Sequence, residues 1–305
     1  MQNSLVRTFC FASIVSIGLA NEAYGHPSAG IVVDQEGQIY FSDLDRGVLK
    51  ISADGATTTV LSKDGQHWLA LDPMGSFART EFAQSPHWPR WFKRRTPAGA
   101  RPAIIGDGGS PIAVGPDGNL FFVCNDEQLI PGGLLLGMLT PDGKETLLNP
   151  AFRQQSAELG GIKGLAVGPD GFFYAAYPKA ILKFTTKGAE TTVLNPVLAT
   201  DCEEPPAGAD GCPALRGLAV VENGVVYVAS TGCRSVIKIT PPGRVETAMK
   251  AESPWSPTGV ALARGEVFVL EYNVIDDDAH NYVPRIRKLT QDGKINTLAT
   301  FSRDR

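Results

Sequence analysis

The chain has 305 residues, 43% of them hydrophobic and 20% charged, with a formal net charge of −4. That is ordinary globular material with enough apolar residues for one full-sized core. A mildly acidic chain without Lys/Arg clusters excludes nucleic acid as a partner on electrostatic grounds.

Residues 1–25 read as a secretory signal peptide. Arg7 closes a short basic region, Thr8 to Ala20 forms an apolar stretch too short to span a bilayer, and Ala23-Tyr24-Gly25 offers small residues before His26. The expectation is a periplasmic or secreted protein, with no membrane attachment after leader cleavage. An uncleaved anchor is the alternative.

Residues 26–305 are expected to form a single domain built on a repeat. Its clearest copy runs from Gly164 to Leu194, where Leu165-Ala166-Val167, Phe172 to Ala175, Ile181 to Phe184 and Thr191 to Leu194 spell four short strands rich in β-branched and aromatic residues. Asp170-Gly171 and Lys187-Gly188 supply the tight turns. First strands of the six copies start at Gly30, Trp68, Pro111, Gly164, Gly217 and Gly259, spaced 38 to 53 residues apart. A period near forty with four strands per copy predicts an all-β, six-bladed β-propeller of four-stranded blades. The blades are expected over about 26–62, 66–106, 110–149, 161–197, 215–250 and 257–300.

Blade 1 is regular, with IVVDQEG, IYFSD, VLKIS and TTTVL in order. Blade 2 departs most from the repeat, because WLALDPMGSF leads into a long connection carrying His87, Trp88, Arg90 and Trp91, a candidate binding rim. Its basic run Lys93-Arg94-Arg95 reads as a solvated face of the third strand. Blades 3 and 6 lengthen their second-to-third strand connections as CNDEQLIPGGLL and EYNVIDDDAHNYVP. Further insertions, at 151–160 and 199–213, precede blades 4 and 5. In a propeller these connections all emerge at one end, so that end is decorated while the end built from tight glycine turns is bare, and function is expected on the decorated end.

Beyond the leader the cysteines are Cys124, Cys202, Cys212 and Cys233. Cys202 and Cys212 bracket the loop EEPPAGADG and are the favoured disulfide. Cys124 and Cys233 end second strands in different blades, too far apart to bond, and Cys233 competes for Cys212 as the alternative.

The residues just before the first strands, nearest the axis at the decorated end, are Ala29, His67, Ser110, Lys163, Arg216 and Thr258. Lys, Arg and His converging with two hydroxyls suit a carboxylate, a phosphate or a polarised carbonyl. Second-strand ends add Asp43, Asn125, Asp126, Tyr177, Arg234 and Glu271. The candidate catalytic set is His67, Lys163, Arg216 and Glu271. Lys163 and Arg216 would serve as electrostatic stabilisers, and His67 or Glu271 as acid/base. The candidate ligand-binding set is Ser110, Thr258, Asp43, Asp126, Tyr177, Arg234 and Trp88. No Gly-x-Ser-x-Gly, Walker loop or dinucleotide fingerprint is present.

The recurring unit G-[LIV]-A-V-x-P-D-G-x-[LF]-[FY], followed by I-x-K-x-T-P-x-G, resembles the NHL-repeat and SMP-30/gluconolactonase-like six-bladed propellers. The resemblance covers essentially the whole chain after the leader. It implies a hydrolase of lactonase type or a lyase acting on a small-molecule ligand, with a non-catalytic scaffold for a protein or glycan partner as the alternative. Metal-dependent SMP-30-like members place Glu, Asn and Asp before several first strands. This chain carries Ala29, Lys163 and Arg216 there, so that metal mechanism does not transfer. Glu271-Tyr272 resembles the strand-end glutamate of streptogramin-lyase-like propellers, although Thr258 stands where those carry a histidine. Amidoglycolate-lyase-like propellers hold zinc through histidines, and His26, His67, His87 and His280 all map to the decorated end. No cofactor is expected, and a divalent metal, zinc or calcium, stays open.

Overall fold

A computed structural model describes residues 27–82, 92–124, 135–148, 161–185, 188–194, 202, 212–274 and 282–302. Six small antiparallel sheets stand in a ring, five with four strands and one with three. The inner strands touch their neighbours in ring order and the last touches the first: Ile31–Val33, Trp68–Asp72, Ile112–Val114, Gly164–Val167, Leu215–Val220 and Trp255–Ala263. The molecule is a six-bladed β-propeller.

Blade 4 shows how sequence becomes blade. Its inner strand pairs with Phe173–Tyr177 (Leu165 opposite Ala175), which pairs with Ala180–Thr185 (Ala175 opposite Leu182). Because side chains alternate across a strand, Phe173, Ala175 and Tyr177 face blade 3 while Tyr174 and Ala176 face blade 5. Both faces are buried, so the second strand reads as a continuous apolar run. Each of the six blade-to-blade junctions holds an apolar cluster of this kind among the described residues.

Glycine at the start of the inner strands is required by close approach. A Cβ on Gly217 would lie 2.9 Å from the Gly259 Cα, and one on Gly259 would lie 2.4 Å from the Ala29 carbonyl oxygen. Backbone therefore meets backbone near the axis across blades 5, 6 and 1.

The ring closes between blades 6 and 1 without strand exchange among the described residues. The Thr258 hydroxyl donates to the Ser28 carbonyl at 2.7 Å and the Tyr272 hydroxyl to the Ser42 carbonyl at 2.8 Å. Phe41 packs on Phe301 at 5.1 Å between centroids, and Arg46 donates to the Ser302 carbonyl.

Blade 2 differs from the expected four strands. Its order is Trp68–Asp72, Ala103–Asp107, Lys93–Arg94, so the second seat is filled by a segment that arrives later in the chain. Ile104 packs toward blade 1 and Ile105 toward blade 3, which suits this segment to a seat buried on both faces. The basic run is not uniformly solvated either. Lys93 is exposed, but Arg95 is buried, donating to the Ser62 hydroxyl at 2.9 Å and pairing with Asp64 at 3.4 Å.

Candidate functional site

Contacts between neighbouring blades give the order of the inner-strand entries round the axis. Ala29 N–H donates to the His67 carbonyl at 3.1 Å. Thr258 reaches Ser28, and a Cβ on Gly164 would lie 2.5 Å from the Arg216 carbonyl oxygen. Lys163 and Arg216 thus enter on touching inner strands, and Thr258, Ala29 and His67 follow in sequence.

Within this ring the side chains have different duties. Arg216 is only 6% exposed, and its Nη1 lies 3.5 Å from the Pro27 carbonyl oxygen. The guanidinium therefore reaches from blade 5 past blade 6 to the segment ahead of blade 1. Lys163 and His67 are half-buried, and Lys163 is fixed by its N–H donating to the Ala176 carbonyl at 2.7 Å. Ser110 is half-buried, its N–H held by the Asp107 carboxylate at 2.7 Å. Thr258 is 1% exposed and its hydroxyl is committed to Ser28, so it fastens the ring rather than facing a ligand.

The strand-end residues divide similarly. Asp43 caps its own turn, accepting from the Asp45 and Arg46 N–H groups and from Arg46 Nη1 at 2.8 Å. Arg234 leans over the entry to blade 6, with Nη1 3.4 Å from the Trp255 carbonyl oxygen. Tyr177 is fully buried between blades 3 and 4, and its hydroxyl makes no hydrogen bond to a described residue. Burial pushes its pKa up. Asp126 and Trp88, with Asn125, His26, His87 and His280, lie outside the described residues.

Glu271 is placed where a solvent-facing acid/base role does not fit. It is 0% exposed, with one oxygen 2.5 Å from Arg285 Nε and the other 3.5 Å from Arg287 Nη1. Both arginines also pair with Glu252, at 2.9 and 3.4 Å, and the Arg285 guanidinium lies over the Trp255 ring at 4.2 Å. Burial raises the Glu271 carboxyl above the usual carboxylate range, with Arg285 and Arg287 pulling it the other way. Glu252, held by the hydrogen bond from Arg285, sits below that range. This four-residue cluster escapes a sequence reading because Glu271 and Arg285 meet only through the register of two strands, although Arg285 and Arg287 stand two apart on one face of Tyr282–Leu289.

The disulfide also differs from the expected one. Cys202 bonds to Cys233, not to Cys212. The turn carrying Cys233 is hydrogen-bonded to Pro213 and Ala214, which sets Cys212 beside it, and all three sulfurs lie within 4.8 Å of one another, so that Cys233 has two partners in reach. Among the described residues this trio is the group with spacing suited to a metal. A concavity of about 390 Å³ opens between blades 5 and 6 at the glycine-turn end, away from the inner-strand entries, where Lys238 and Glu246 form a 2.8 Å ion pair.

No protein-family model matches the sequence, and no curated protein matches it. Solved structures do. A luciferin-regenerating enzyme is 16% identical, with 90% of this chain and 95% of that one covered at a TM-score of 0.54. The PQQ-bound form of an aldose sugar dehydrogenase from Streptomyces coelicolor is 16% identical, over 80% and 88% at 0.53. A gluconolactonase from Xanthomonas campestris is 16% identical, over 81% and 84% at 0.50. At these identities the likeness concerns fold alone, and the fold this chain shares with them is the six-bladed propeller.

Proposed function

We propose that this protein is an exported propeller that binds a small anionic or carbonyl-bearing molecule at its decorated mouth, and acts on it as a lactonase-like hydrolase or a lyase. The observation that carries the reading is the pair of cations, Lys163 and Arg216, on touching inner strands, with Arg216 buried and its Nη1 3.5 Å from the Pro27 carbonyl oxygen. A buried guanidinium interacts more strongly with a carboxylate or a developing oxyanion than an exposed one, because little water screens it. In this reading Arg216 and Lys163 hold the negative charge and His67, across the ring, moves the proton. Glu271 belongs to the scaffold. The disulfide supports export, since such bonds persist in oxidising compartments.

The test is proton release in a pH-stat from a panel of small lactones and esters. A parallel absorbance assay detects the double bond that elimination creates. Wild-type turnover is expected to fall about 10²- to 10³-fold in Arg216→Ala, a loss typical of removing one oxyanion donor, with the circular dichroism spectrum unchanged. Equal rates in the two proteins, or no turnover with any of the panel, would overturn the enzymatic reading.

A further inference from the structure

The sulfurs of Cys202, Cys212 and Cys233 lie within 4.8 Å of one another at the decorated end of blade 5. Cys202 and Cys233 are bonded across a Cα–Cα distance of 4.5 Å, while Cys212 keeps its thiol. The scaffold holds Cys212 against Cys233 independently of that bond. Thr231 N–H donates to the Ala214 carbonyl at 3.2 Å, Gly232 N–H to the Pro213 carbonyl at 3.1 Å, and the Ser230 hydroxyl to the same Pro213 carbonyl at 2.9 Å. The Cys212 Sγ lies 3.7 Å from the Gly232 carbonyl oxygen, in the peptide group immediately before Cys233. Cys202 lies earlier in the same insertion ahead of blade 5, near its start, and Cys212 near its end.

We propose that this cluster is an internal thiol–disulfide exchange site in which Cys202 and Cys212 are alternative partners of Cys233. Cys212 loses its proton to solvent and its thiolate attacks the Cys233 Sγ. The Cys212–Cys233 bond forms as the Cys202–Cys233 bond breaks, and the electron pair leaves on the Cys202 Sγ, which takes up a proton. One disulfide and one thiol are present before and after, so no oxidant or reductant is consumed. The exchange decides which part of the insertion is tied to the turn that holds blade 6, its start at Cys202 or its end at Cys212. That turn fastens to blade 6 through the Thr231 hydroxyl, 2.8 Å from the Pro257 carbonyl oxygen, and through Arg234 at Trp255.

The experiment incubates the native full chain across a pH series, traps thiols with N-ethylmaleimide and maps the peptides without reduction. Label is expected at both Cys212 and Cys202, the Cys202 label accompanied by a Cys212–Cys233 peptide. The approach to that distribution should quicken about tenfold per pH unit below ~8.5 as the thiolate fraction rises. In Cys212→Ser, labelling of Cys202 is lost. In Cys202→Ser, a small disulfide such as oxidised glutathione closes the Cys212–Cys233 bond. Label confined to Cys212 at every pH, Cys202 labelling that survives Cys212→Ser, or a Cys202→Ser protein that keeps both thiols would each overturn the proposal.

Discussion

Replacing Glu271 by glutamine separates a structural acid from a catalytic one. The side chain is fully buried against Arg285 and Arg287, and removing one partner of a buried ion pair costs about 3–5 kcal/mol because the other charge is left uncompensated. Arg285 would keep Glu252, but that carboxylate is 64% exposed and water weakens its hold. We place the loss at the lower end, about 3 kcal/mol. For 305 residues at roughly 2.1 cal/mol/K each, unfolding entropy is about 0.6 kcal/mol/K, so Tm should drop by about 5 °C. Urea unfolding followed by tryptophan fluorescence reads the same change as a lower midpoint. The double variant Glu271→Leu/Arg285→Met should recover part of the loss, since it strands no charge at that pair. A Glu271→Gln protein as stable as wild type, yet without turnover, would refute this reasoning and return Glu271 to the reacting groups.

Acid titration should read the exposed glutamate of the cluster. Glu252 has a lowered folded pKa, so its contribution is present above the ordinary value near 4.5 and fades as pH falls through the lowered one. Stability measured from pH 3 to 7 should accordingly lose its acid-side slope in Glu252→Gln. Gly259→Ala puts a Cβ 2.4 Å from the Ala29 carbonyl oxygen, and should cost about 1–3 kcal/mol by denaturant unfolding, as overpacking does. Full removal of the cross-link in Cys202→Ser/Cys212→Ser should cost about 2–4 kcal/mol in chemical denaturation, whereas Cys202→Ser alone should lose only a small part of that under oxidising conditions.

The repeat was legible because each blade is specified locally. Asp170-Gly171 marks a turn wherever it stands, Gly171 takes φ +76°, and the alternation in Phe173–Tyr177 assigns its faces without reference to the rest of the chain. Axis contacts followed from the same regularity, since Gly217 and Gly259 occupy equivalent places in the repeat. What stayed hidden depends on partners distant in sequence. Ala103–Asp107 takes the second seat of blade 2, although nothing in Ile104-Ile105 distinguishes a second strand from a fourth. Glu271 looked like a strand-end acid at a mouth until register brought Arg285 against it. Cys202 and Cys212 lie in one insertion, but the backbone bond between Gly232 and Pro213 brings the turn of Cys233 beside Cys212, a contact that local sequence does not announce. Thr258 shared a ring position with Arg216, and its hydroxyl turned out to close the propeller.

The most direct test of a cation-lined mouth is calorimetric titration of a small hydroxycarboxylate into wild type, Arg216→Ala and Lys238→Ala. Lys238 serves as the control because it lines the cleft at the opposite end. Arg216→Ala should weaken binding about 10- to 100-fold, the worth of one charge-assisted hydrogen bond, and Lys238→Ala should leave it unchanged. Equal affinity in wild type and Arg216→Ala, or a loss confined to Lys238→Ala, would contradict the assignment.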